Sequence, residues 1–281
     1  MKRKTFYYSD VLSDDFAGTD IKRKKLKRNY VYINKNPIVK FFEFVLYRLI
    51  ATPLVFFMNK ILYRERMIGK EKLKKYRKTG YFLYGNHTHA PLDAYTPTVI
   101  SFPKKAYILV NPDATSVPVA GSMVKALGAM PVPDDISLYK GFLGAIKTRA
   151  KNCDVITIYP EQHIWPYYTG IRPFRDTSFK YPTETDKPVF VFTRTFQKRK
   201  RSLKPKQVVY VDGPFFPDIR LSVKENQKLL RDAAYDAMVK RSALSDARVH
   251  DYVYFDPDKE AVNSHPSPLV DDDEKLQEVG V

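Results

Sequence analysis

Residues 81–95 read YFLYGNHTHAPLDAY. The first four are aromatic and aliphatic and make a short buried-type strand; a glycine and a run of polar, chemistry-bearing side chains follow at once. The pattern recurs at 155–159, VITIY, which Pro160 stops and Glu161, Gln162, His163, Ile164, Trp165 and Pro166 follow. Further strands are expected at 106–110, 130–132, 189–195 (VFVFTRT) and 207–211 (QVVYV), the last two separated by the basic loop Lys198, Arg199, Lys200, Arg201. Helix-length segments lie between them. One over 117–127 ends at Gly128, a C-cap residue. One from 138 to about 151 starts behind Ser137, and a last one, opened by a capping box of Ser222 and Glu225, runs to about Leu244. Strands alternating with helices predict an α/β fold: a mostly parallel sheet flanked by helices.

The chain has 281 residues, 44 % hydrophobic and 28 % charged, which excludes a wholly disordered protein. A single cysteine, Cys153, excludes an intrachain disulfide and a four-cysteine zinc site. The net charge of +17 favours polyanionic partners. It is unevenly placed, with a net +7 over residues 1–40 and a net −7 over 251–281. This divides the chain into a basic N-terminal arm (1–36), an apolar helical segment (37–62), a central domain (63–250) and an acidic tail (251–281). The arm is expected to be poorly ordered up to about Arg28, although Tyr7, Tyr8 and Phe16 are unusual for a linker.

The apolar segment is broken by Lys40, Glu43, Arg48 and Lys60, and its longest charge-free run, 49–59, has eleven residues. Crossing a bilayer takes roughly twenty apolar residues, so no transmembrane span is expected. No apolar core follows the first charges, so no signal peptide is expected either. With Lys22, Arg23, Lys24, Lys25, Lys27 and Arg28 upstream, the segment suits a peripheral, monotopic contact with an anionic membrane surface. The chain carries no helix-turn-helix, zinc-finger or RNA-recognition pattern, so nucleic acid is not an expected partner.

In sheets of this kind chemistry sits on loops leaving the carboxyl ends of strands. Two such loops hold three of the five histidines: His87, His89 and His163. A histidine just after a strand, with a carboxylate a few residues on, is the minimal apparatus for general-base catalysis. No G-x-S-x-G occurs, and Cys153 lies at a helix end, so the hydroxyl to be activated belongs to a substrate. An alternative is a metal-dependent hydrolase using His87 and His89 with Asp93, Glu161 and His163.

Four blocks in order resemble the glycerolipid acyltransferases, the 1-acylglycerol-3-phosphate acyltransferase family: GNHTHAPLDAY (85–95), VPVAGSMVKALGAMPV (117–132), YPEQHIW with GIRPFRDTSF (159–179), and VVYVDGPF (208–215). Five residues separate His87 from Asp93 where the family has four, and the extra one is expected as a bulge of the turn at Pro91. Gln162, His163 and Ile164 replace the family's Gly, Thr and Arg. The resemblance implies His87 as the base with Asp93 as its partner, and Asn86 and His89 in the acceptor site. It implies that Glu161 holds the acceptor or orders the loop, and that Arg172 and Arg175 supply the charge for an acceptor phosphate. It implies an acyl-CoA or acyl-carrier-protein donor, a lysophospholipid acceptor, no metal and no cofactor, and a place at the cytoplasmic face of a membrane. A non-catalytic lipid-binding protein on the same scaffold is the other reading. Trp165 is expected as a packed loop anchor.

Overall fold

The structure, a computed structural model, describes residues 2–18, 25–115 and 120–256. Its strands in chain order are β1 (Thr5–Tyr8), β2 (Arg66–Ile68), β3 (Tyr81–Gly85), β4 (Ala106–Val110), β5 (Ala129–Pro131), β6 (Val155–Ile158), β7 (Val189–Arg199), β8 (Ser202–Phe215) and β9 (Asp251–Tyr254). Seven of them build one sheet in the order β2-β8-β7-β3-β6-β4-β5. All its pairings are parallel except β7 with β8. The fold is therefore the expected α/β sheet flanked by helices, mixed at one end.

Every residue of β3 and of β6 is buried, because helices cover both faces of a parallel sheet. Successive side chains in a strand point to opposite faces. Accordingly Phe82 and Tyr84 join one core with Phe142, Ile146, Leu230 and Met238 of the helices Ile136–Lys151 and Val223–Ser242. Tyr81 and Leu83 join the other, with Leu73, Ile100 and Phe192.

Several boundaries differ from the sequence reading. The basic loop is the tip of an antiparallel hairpin, and both its strands are longer than expected because cross-strand pairing continues past the apolar runs. Asp135, not Ser137, caps the Ile136–Lys151 helix, its carboxylate accepting from the Ser137 amide at 2.8 Å. The helix expected at 117–127 is seen as Ala120–Ala126, its earlier residues lying outside the described ones.

The amino terminus is not loose where it is described. β1 pairs in parallel with β9, Thr5 opposite Asp251. Phe16 and Tyr252 then pack on Trp165, with ring centroids 5.4 and 4.8 Å away. Aromatic burial outweighs the charge that made the arm read as a linker. Residues 19–24 and 257–281, with much of the basic cluster and of the acidic tail, lie outside the described residues.

The apolar segment forms one continuous helix, Pro37–Tyr63, of 27 residues. By length and composition it is long and apolar enough to cross a membrane, although its longest charge-free run has eleven residues. One side is docked on the domain. Tyr47 Oη lies 3.2 Å from Thr98 Oγ1 and accepts from the Ala106 amide, and Arg48 donates to the Pro103 carbonyl at 2.6 Å. The other side leaves Ile38, Phe42, Leu49, Leu54, Phe57 and Leu62 more than half exposed.

Candidate active site

The site grows from the carboxyl end of β3. Gly85 ends the strand where Phe192 of β7 crosses it, and a Cβ there would lie 2.1 Å from the ring. Asn86 continues the pairing by side chain: its Oδ1 accepts from the Arg194 amide at 2.8 Å and its Nδ2 donates to the Arg194 carbonyl at 3.0 Å. His89, with an extended backbone, is the N-cap of the helix Ala90–Ser101, and Pro91 lies in its first turn, where proline's missing N–H costs nothing. Pro91 therefore lies inside the helix and not at a bulged turn. Asp93, in the first helical turn, reaches back so that Oδ2 accepts from the His89 amide at 3.0 Å.

The same Oδ2 lies 2.7 Å from His87 Nδ1. The other oxygen, Oδ1, accepts from Arg194 Nη1. Arg194 is held in turn by Glu65 Oε1, 2.9 Å from Nε, and by Thr96 Oγ1, 2.7 Å from Nη2. Glu65 Oε2 accepts from Thr96 and from Asn59. Burial alone pushes the Asp93 carboxyl up. Arg194, then His87 and the His89 amide, pull it down further, to about 2. An ionised Asp93 fixes the proton of His87 on Nδ1 and leaves Nε2 with its lone pair. Nε2 has no hydrogen-bond partner among the described residues and is not sealed, the side chain keeping 17 % exposure. The ring stacks on Tyr159 at 4.5 Å, and the Tyr159 hydroxyl donates to the Asp93 carbonyl at 2.5 Å.

The second loop is tied to the first. Glu161 Oε2 accepts from the His87 amide and Oε1 from the Arg172 amide, each at 3.1 Å. Glu161 is buried, which raises its pKa against the pull of Arg172. Its carboxylate thus ties the two loops together through their backbone amides. Arg172 corrects the reading of it as a phosphate ligand. Its side chain has no exposure, and its terminal nitrogens donate to the carbonyls of Val11, Glu161 and His163. Asn86 is likewise committed to backbone and is buried, so it clips β3 to β7 instead of meeting an acceptor. Arg175 is exposed and makes no ion pair or hydrogen bond among the described residues. His163 turns to Asp15, 3.6 Å away.

His89 packs edge-on between Tyr63 and Tyr167, with Nε2 3.3 Å from the Tyr167 hydroxyl and Nδ1 buried without a partner among the described residues. Burial, then the nearby Arg194, lowers its pKa to about 4, so the ring is neutral at physiological pH. Trp165 is the loop anchor expected, its indole N–H donating to the Asp14 carbonyl at 2.8 Å.

Sequence reasoning missed Arg194, Glu65, Thr96 and Tyr159. One signal was available for Arg194: an arginine inside the apolar run VFVFTRT needs a buried anion. Nothing marked Glu65 as its partner, 129 residues away.

No family model matches the chain, and no curated protein matches it in sequence. Among solved structures, the crystal structure of the 1-acyl-sn-glycerophosphate (LPA) acyltransferase, PlsC, from Thermotoga maritima is similar, with a TM-score of 0.50 and 14 % identity, over 73 % of this chain and 88 % of that one. At that identity the likeness is one of fold: this chain shares the sheet-and-helix architecture of PlsC and carries an apolar helix near its amino terminus.

Proposed function

We propose that this protein is an O-acyltransferase that moves a fatty acyl group from acyl-CoA or acyl-carrier protein to the hydroxyl of a lysophospholipid, 1-acylglycerol-3-phosphate above all. The observation that carries the reading is the pair formed by His87 and Asp93, with Nδ1 and Oδ2 2.7 Å apart and the other ring nitrogen open. The fold likeness supports the same class.

In the proposed reaction His87 Nε2 takes the proton of the acceptor hydroxyl as its oxygen attacks the thioester carbonyl. Asp93 stabilises the imidazolium that forms. The tetrahedral intermediate collapses, the C–S bond breaks, and the imidazolium returns its proton to the departing thiolate. The products are the new ester and a free thiol, and no protein nucleophile is consumed. Asp93 is held ionised by Arg194, so it can orient the ring without competing for the proton.

The exposed apolar side of the Pro37–Tyr63 helix supports a seat on the leaflet, where acceptor and product both reside. Because its opposite side is bound to the domain through Tyr47 and Arg48, we favour a helix lying in the cytoplasmic interface.

A thioester-consumption assay across a panel of acceptors tests the reading. His87→Ala is expected to slow transfer by about 10²–10⁴-fold with an unchanged circular dichroism spectrum. A variant as active as wild type would remove His87 from the mechanism. A wild-type protein that binds lysophospholipid but consumes no thioester would make it a lipid-binding protein.

A further inference from the structure

We propose that the cleft between the carboxyl end of the Pro37–Tyr63 helix and the start of β2 is a phosphate-monoester site for the acceptor, formed by Lys60, Arg64 and Arg66. The choice of acceptor rests on the acyltransferase reading; the site itself rests on the charges and shape described next.

The cleft measures about 510 Å³, with the three cations around it, Phe56 and Phe57 contributing apolar surface and Glu65 in its wall. Lys60, Arg64 and Arg66 are exposed, and their side chains make no ion pair or hydrogen bond among the described residues. The carboxylate nearest in sequence, Glu65, is not free to neutralise them. Its two oxygens are occupied by Arg194, Thr96 and Asn59. Three unpaired positive charges therefore share one concave surface, which suits a dianion, and guanidinium forks match phosphate oxygens two at a time.

Two features argue against a merely solvated face. The dipole at a helix carboxyl terminus attracts cations, which accounts for Lys60 and Arg64 but not for Arg66, which lies in β2. Arg64 also sits in the left-handed region, φ 52° and ψ 41°, a C-terminal position at which glycine or asparagine is the usual choice. An arginine is held there although its backbone gains nothing from it.

A chain of contacts links the wall of the cleft to the reactive pair. From its wall Glu65 binds Arg194, Arg194 binds Asp93, and Asp93 binds His87. Tyr63, next to Arg64, lies against the His89 ring at 5.9 Å. Of the two phosphate ligands expected in the second loop, Arg172 is locked inside the protein and Arg175 is exposed. An amphiphile can rest its headgroup on the three cations and its acyl chain along Phe57 and the exposed side of the helix.

The test uses the full chain and steady-state acylation in detergent micelles, with lysophosphatidate or uncharged monoacylglycerol as acceptor. Arg64→Gly suits the left-handed backbone, and Arg66→Gln removes a second charge; a melting temperature equal to that of wild type verifies the fold. The double variant is expected to raise KM for lysophosphatidate by about tenfold or more, with much smaller changes in kcat and in KM for monoacylglycerol. Equal rises in KM for both acceptors, no rise, or a rise confined to acyl-CoA would each overturn the assignment, the last by giving the cleft to the donor's phosphates. Calorimetric binding of glycerol 3-phosphate separates the two proposals. If wild type binds it, the double variant does not, and neither acylates anything, the site stands and the acyltransferase reading falls. If wild type acylates lysophosphatidate and the variant matches it in KM and in binding, the site falls and the reading stands.

Discussion

Arg194 grips Asp93 from the side opposite His87: its Nη1 donates to Oδ1, while His87 Nδ1 meets Oδ2. One carboxylate thus belongs to two cations at once, or to one cation and a neutral ring, depending on the protonation of His87. The arginine is shared with a second buried carboxylate, Glu65. The trio of Glu65, Arg194 and Asp93 carries a net charge of −1, which the imidazolium formed during proton transfer would cancel. Such an arrangement stabilises the charged ring electrostatically without a large change in geometry.

Removing the guanidinium should leave Asp93 and Glu65 unpaired in the interior. Arg194→Met is expected to cost roughly 3–5 kcal/mol of stability, read as a lower urea midpoint. Arg194→Lys keeps the charge but not the fork and should fall between, with kcat reduced and the acid limb of the pH–rate profile displaced, because Asp93 then orients the ring less well. An Arg194→Met protein unfolding at the wild-type midpoint would show that the three groups are not coupled as described.

Acid should weaken the fold in two successive windows. The folded pKa of His89 is lowered from 6.5 to about 4, mainly by burial. Its contribution is present above about pH 6.5 and is lost as pH falls towards 4. Asp93 is lowered from 3.8 to about 2, Arg194 overcoming burial, so its contribution is lost as pH falls from about 4 towards 2. Glu161 runs the other way. Burial raises it above 4.5, and its cost appears as pH rises through that value. Urea midpoints measured against pH should flatten in the upper window for His89→Gln and in the lower one for Asp93→Asn. A His89→Gln profile that runs parallel to that of wild type between pH 6.5 and pH 4 would contradict the burial of a neutral His89.

Residues 2–18 should report on the second loop through the chain's one tryptophan. Trp165 is 1 % exposed and is covered by Tyr8, Phe16 and Tyr252. Phe16→Ala is expected to red-shift its emission and to cost roughly 0.5–3 kcal/mol, and deletion of residues 2–18 should do both more strongly. Emission unchanged by the deletion would mean that the loop is closed by other groups.

Charges placed on the exposed side of the Pro37–Tyr63 helix should reduce attachment to vesicles and leave folding alone. Phe42 and Leu49 are 64 % and 61 % exposed. Phe42→Lys with Leu49→Lys is expected to lower flotation with phosphatidylcholine–phosphatidylglycerol vesicles and to keep the wild-type melting temperature. Alkaline carbonate should strip the wild-type protein from these vesicles if the helix lies in the interface. Resistance to carbonate would indicate a span instead.

Local signals sufficed for the alternation of strands and helices, the capping box of Ser222 and Glu225 and the placing of His87 and Asp93 just beyond one strand, because each depends on neighbours in the chain. Whether a residue so found is free to act was a different matter. Arg172 looked like a ligand until its nitrogens were seen bound to the carbonyls of Val11, Glu161 and His163, and the arm looked like a linker until Phe16 met Trp165. Arg194 and Glu65, far apart in sequence, matter only because β7 and the segment before β2 bring them together beside Asp93. By itself, then, the sequence determined the order of elements and the chemistry present in each loop, which follow from periodicity and residue type. Only the tertiary structure decided which charges are buried in mutual contact and which, like Lys60, Arg64 and Arg66, are left unpaired at a cleft, because pairing a buried charge is a matter of distance in space.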